Sequence, residues 1–99
     1  MGRDFRHVDP RELRVPRSRR SGADPANLHR QIALFGASSH GMPPLVVYEG
    51  TDGFLVVYNG VTRATRMAKL APGALVRVEE IGRLKRAYGP EPKIGDLLP

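Results

Sequence analysis

Apolar and polar residues alternate with two different periods along this chain. Between Asp24 and Gly36 the period is helical: Leu28, Ile32 and Phe35 recur at spacings of four and three, which puts them on one face of a helix from Ala26 to about Leu34. Asp24-Pro25 supplies the start, a capping carboxylate followed by proline in the first turn, and Gly36 supplies the stop. From Leu45 the period drops to two. Leu45 to Glu49 and Phe54 to Tyr58 read as strands joined by Gly50-Thr51-Asp52-Gly53, a hairpin signature. Asn59-Gly60 makes a tight turn, and the helical period returns from Thr62 to Leu70 with Val61, Ala64, Met67 and Ala68 inward. Pro72-Gly73 ends that helix, and Leu75 to Ile81 is a further strand.

The remaining segments are less regular. Residues 5–15 read as extended, with Pro10 ending any strand begun at Phe5 and with Leu13 and Val15 alternating with Arg14. Residues 16–25 form a turn-rich, arginine-rich loop, and 37–44 a small-residue loop whose two prolines force an extended exit. Residues 82–99 hold a basic patch, a Gly-Pro break and a short apolar end, IGDLLP. Strand, helix, hairpin, helix and strand in one small chain predict an α+β domain, a mixed β-sheet flanked by helices. Its 99 residues suffice for a single core, so 1–99 is expected to be one domain with 1–8 and 87–99 peripheral or flexible.

Composition narrows the chemistry. There is no cysteine, which removes disulfides, thiol catalysis and cysteine-ligated zinc together. No apolar run approaches the ~18–20 residues of a membrane span, so no membrane partner is expected and the cytoplasm is the default compartment. The net charge is +6, and 13 of the 16 basic residues are arginine. Arginine's planar fork grips phosphate with two bonds, which suits a polyanion, although a GC-rich genome produces the same bias. The charge is uneven: residues 1–30 carry +4, 31–60 carry −2 with no Lys or Arg, and 61–99 carry +4. The middle third reads as core sheet between basic flanks that converge on one face if the fold allows it.

The strongest chemical signal is the strand–turn–helix stretch from 56 to 70. Gly60 lets the backbone turn with no side chain between its amides and a ligand, and the helix start beyond it favours an anion. Asn59, Thr62 and Thr65 add polar donors, and Arg63 and Arg66, three apart, share a helix face on which both can clamp one phosphate. The alternative is that Thr62 merely caps a solvated helix whose arginines face water.

These residues resemble the amino-terminal domain of the ParB family, within the ParB/sulfiredoxin superfamily. DPRELRVPRSRR (9–20) looks like the family's opening strand and basic stretch, and NLHRQIALFG (27–36) like its first helix. PPLVVYEGTDGFLVVYNGVTRATRMAKL (43–70) is similar to its proline, hairpin and phosphate-binding helix, and LVRVEEI (75–81) to the next strand. The family's turn usually reads Gly, Glu, Arg, Arg and binds nucleotide phosphates, with CTP the ligand in the partition proteins. Gly60 and Arg63 match its first and last positions, while Val61 stands for the glutamate and Thr62 for the first arginine. The resemblance therefore implies binding rather than hydrolysis, with Mg²⁺ accompanying a bound nucleotide. Val61 at the reactive-cysteine position of the sulfiredoxins excludes that activity. The second box, DNA-reading helices and dimerisation tail of the partition proteins do not fit in this length.

Three functional readings follow. The first is a module binding a nucleotide or a nucleic-acid phosphate at 59–66, its contact extended by Arg14, Arg17, Arg19, Arg20, Arg83, Lys85 and Arg86. The second is a metal-dependent DNA-cleaving domain, with His40, Glu79 or Glu80 as the group that activates water or carries a metal. For each of the three a solvated surface residue is the plainer account. The third is an interaction domain without a small ligand, docking on a second copy or within a larger parent protein. His7, His29 and His40 lack metal-ligand spacing, so no metal site is expected. Tyr48 and Tyr58, on paired strands, either stack on bases or simply cover a sheet.

Overall fold

The computed structural model describes residues 4–99. The expectation for 1–8 therefore falls partly, at Met1 to Arg3, outside the described residues. The elements are β1 (Asp4–Val8), α1 (Pro25–Phe35), β2 (Leu45–Glu49), β3 (Leu55–Asn59), α2 (Val61–Leu70) and β4 (Val76–Arg83), with short 3₁₀ turns at Pro10–Glu12, Arg17–Arg19 and Ile94–Leu97. The four strands make one mixed sheet in the order β1-β4-β2-β3. β4 pairs antiparallel with β1 and parallel with β2, and β2 pairs antiparallel with β3. The chain is an α+β domain.

Local chemistry explains most of the boundaries. Asp24 accepts a hydrogen bond from Asn27 N at 3.1 Å, satisfying a free amide at the start of α1, and Pro25 occupies the first turn, where its missing N–H costs nothing. Gly36, at φ +55°, ends the helix. On the sheet, Leu45, Val47, Val57, Val76 and Val78 point to one face and pack with Val61, Ala64, Met67 and Ala68 of α2. The alternation of each strand then turns Val46, Tyr48, Arg77 and Glu79 to the other face. α1 packs on α2.

Two segments expected as loops or periphery finish this core. Arg14 bridges the outer edge of β3 in parallel, donating to Leu55 O at 2.8 Å and accepting from Val57 N at 3.0 Å. Residues 92–94 then pair with 13–15: Val15 N donates to Pro92 O at 3.1 Å and Ile94 N to Leu13 O at 2.8 Å. The edge of β3 is thereby covered, and Leu13, Val15 and Ile94 enter the core, Ile94 with 0% exposure. The end segment 87–99 is thus part of the packed domain rather than peripheral. Its short IGDLLP motif is too brief to show a period, so only the tertiary pairing reveals where it goes.

Candidate functional site

The turn from β3 into α2 is built on Gly60. Its φ of +119° lies where residues with a Cβ are strained, and a Cβ there would sit 2.6 Å from Leu45 Cδ2 and 3.1 Å from Arg63 Nη2. Glycine is therefore required twice over, by dihedral and by space. No side chain caps α2 and no acidic residue lies in its first turn. The first three amides, of Val61, Thr62 and Arg63, have no helical partner and carry the positive end of the helix dipole; Ala64 N is the first to bond back, to Gly60 O at 2.8 Å.

Arg63 and Arg66 lie on the same side of α2, facing the loop after α1. Arg63 Nη1 donates to Pro43 O at 2.9 Å and Pro44 O at 3.4 Å. Arg66 is 2% exposed; its Nη1 donates to Gly36 O at 2.7 Å and Ser38 O at 2.8 Å, and its guanidinium lies 5.4 Å from the Phe35 ring centroid. Neither arginine forms an ion pair with a described residue, and the buried Arg66 Nε has no hydrogen-bond partner. Burial depresses the affinity of both guanidinium groups for their protons, and in Arg63 the charge of Arg66 adds to it. Two cations without a carboxylate, partly withdrawn from water and repelling each other, form a local excess of positive charge that an anion would relieve.

The two arginines line a small hollow of about 100 Å³ with Gln31, Ser38, His40 and Met42. The fold thus brings His40, 23 residues away in sequence, to the rim around Arg63. It does not bring the carboxylates there. Glu80 is held by Arg6 at 2.8 Å, in a chain that continues through Glu49 to Arg83, and neither Glu79 nor Glu80 lines the hollow. Among the described residues no three or more His, Asp or Glu converge as metal ligands.

The other members of the predicted set separate into distinct places. Thr65 is buried and donates to Val61 O at 2.7 Å, within its own helix, so its hydroxyl is directed inward. Asn59 and Gly60 line a second, larger groove of about 460 Å³ with Arg19, Tyr48, Tyr58 and Tyr88. Thr62 is half-buried and lines neither.

The basic flanks do converge, but largely on a carboxylate. Arg17, Arg20 and Arg86 meet Glu91 at 3.6, 3.1 and 2.9 Å, and Glu91 is 5% exposed. The hydrogen bond from Arg20, opposed by burial and helped by the charges of Arg20, Arg86 and Arg17, holds the Glu91 carboxyl below the usual range. Arg14 lays its guanidinium 4.4 Å from the Phe54 ring centroid, and Arg83 pairs with Glu49 at 3.0 Å. Arg19 and Lys85 form no ion pair with a described residue. Sequence reasoning missed Glu91. The available signal was an acid set between Pro90 and Pro92 in a basic stretch, where a lone carboxylate has several cations to choose from.

No helix among the described residues is long and apolar enough to cross a membrane. No protein-family model matches the chain, and no curated protein matches it.

Proposed function

We propose that this is a ParB-like phosphate-binding module, taking a nucleotide or a nucleic-acid phosphate at the Gly60 turn. One observation carries the reading: Arg66, buried, and Arg63, half-buried, stand without a carboxylate partner beside a helix start whose first amides have no helical partner. Arg63 is the ligand-facing member. Its Nη2 lies against Gly60, near the free amides, while its Nη1 holds the Pro43 and Pro44 carbonyls and fixes the fork in place. Arg66 is a positioning residue that ties down the 36–42 loop and adds charge behind Arg63. Thr62 adds a hydroxyl at the first turn. The hollow around Arg63 and Arg66 is lined by no carboxylate, so Mg²⁺ accompanying a nucleotide would be held by the phosphates themselves. Such ligands are those of the cytoplasm.

Calorimetric titration with CTP, ATP and GTP in Mg²⁺ tests this, comparing the wild type with Arg63→Ala. A charge-assisted hydrogen bond of this kind is worth about 1.5–3 kcal/mol, so the substitution is expected to weaken binding at least tenfold. Arg63→Lys, which keeps the charge without the fork, falls between the two. No heat with any nucleotide overturns the nucleotide form of the reading and leaves nucleic-acid phosphate to be tested, and equal binding by Arg63→Ala overturns the site.

A further inference from the structure

Among the described residues no α-helix lies on the face of the sheet turned away from α2. Leu84 and Tyr88 come over part of it, where Val56 is 2% exposed, while other side chains stay open, Tyr58 at 68%, Ile81 at 43% and Phe5 at 39%. Tyr48 meets Tyr58 edge to face with ring centroids 5.5 Å apart. The pair lines the 460 Å³ groove together with Arg19, Asn59, Gly60 and Tyr88. Across the sheet, the Arg77 guanidinium lies over Phe5 at 4.0 Å from the ring centroid. The surface is therefore an aromatic strip with cations at its edges and one carboxylate, Glu79, opposite Phe5 in the strand register. Arg19 and Arg77 on its margins, and Lys85 next to the groove residue Leu84, form no ion pair with a described residue.

Charge decides among the partners such a face attracts. A second copy of this chain would set Arg19, Arg77 and Lys85 against a surface of the same sign, since a two-fold contact pairs a patch with itself. A duplex keeps its bases inside the stack, so exposed rings have nothing to stack on, and among the described residues no α-helix stands on this face to enter a groove. A single strand offers what the face lacks: flat bases for the tyrosines and phosphates for the unpaired cations.

We propose that the open sheet face binds single-stranded nucleic acid. Bases stack on Tyr58 and Tyr48, and the phosphate backbone runs past Arg19 and Asn59 to the start of α2. The inference rests on the phosphate reading at Gly60, where that path ends. Base and phosphate are shared by DNA and RNA, so both are tested.

The experiment is fluorescence anisotropy of the full chain with labelled dT12 and rU12 and a 12-base-pair duplex, in 50 and 200 mM salt. Saturable binding of a single strand, tighter than the duplex, is expected, weakening roughly 20-fold over this salt range if three phosphates are contacted. Tyr58→Ala is expected to raise Kd at least about fivefold, the low end of one lost stacking contact, while Tyr58→Phe binds as the wild type does. Tyr58 packs against little, so loss of fold does not confuse the result; circular dichroism checks it. Equal or tighter duplex binding, no binding of either strand, or indifference to Tyr58→Ala overturns the proposal. So does a dimer in light scattering that Tyr58→Ala dissolves, which assigns the face to self-association. The Arg63→Ala chain separates the two readings: strand binding that depends on Tyr58 but not on Arg63, with no nucleotide bound, sinks the phosphate site and leaves the sheet face standing.

Discussion

Gly60→Ala isolates the contact on which the candidate site is built. Alanine at a φ of +119° pays for a left-handed backbone, a cost of about 1–2 kcal/mol. Its Cβ also meets Leu45 Cδ2 at 2.6 Å and Arg63 Nη2 at 3.1 Å. Leu45 is fully buried and cannot swing away, so this overlap behaves as overpacking and adds about 1–3 kcal/mol. The expected total is about 2–5 kcal/mol, a large share of the 5–15 kcal/mol typical of a domain. In a urea titration with a slope of about 1.5 kcal/mol per molar, the midpoint falls by about 1–3 M. Gly53→Ala is the matched control: φ is +84°, but nothing lies within 4 Å of the added Cβ, so only the dihedral term remains. If the two variants lose the same stability to within about 0.5 kcal/mol, Leu45 and Arg63 do not close on Gly60. The reasoning about the turn then fails, and the placement of Arg63 beside the helix start fails with it.

Two further outcomes are expected. Arg66→Met keeps the apolar stem but removes the bonds to Gly36 O and Ser38 O, which lowers stability by about 1–3 kcal/mol and speeds amide exchange in 36–42; an unchanged midpoint with unchanged exchange shows that Arg66 does not hold this loop. Glu91→Gln leaves Arg17, Arg20 and Arg86 without their shared anion and lowers Tm at pH 7. Because the folded pKa of Glu91 lies below its unfolded value, its contribution is present above the ordinary glutamate value of about 4.3 and is lost as pH falls through the folded pKa. The wild type therefore loses Tm faster than Glu91→Gln below that value, and parallel curves refute the assignment.

Local sequence settled what local physics controls. The Asp24 cap, the Pro25 first turn and the Gly36 stop set α1, and the strand runs on either side of Gly50-Thr51-Asp52-Gly53 set the β2–β3 hairpin, each within a residue or two of its expected place. Gly60 as the hinge into a helix was equally legible, because a glycine between a strand period and a helix period has few other roles. Four decisions needed the tertiary structure. Leu13, Val15 and Ile94 join the core through pairings between distant segments, which no periodicity in short stretches can announce. Arg63 and Arg66 share a helix face by spacing, yet only packing against the 36–44 loop buries Arg66 and leaves Arg63 nearer the turn. Thr65 reads as a donor from its spacing, but it is buried on the side of α2 that meets Leu28 and Ile32 of α1, and its hydroxyl donates to Val61 O. The arginines of the flanks look alike in sequence, and Glu91 divides them, engaging Arg17, Arg20 and Arg86 and leaving Arg19 and Lys85 for solvent or a ligand. Sequence determines which residues carry charge and where helices begin; which charges are already spent depends on distances between segments that the chain brings together only when it folds.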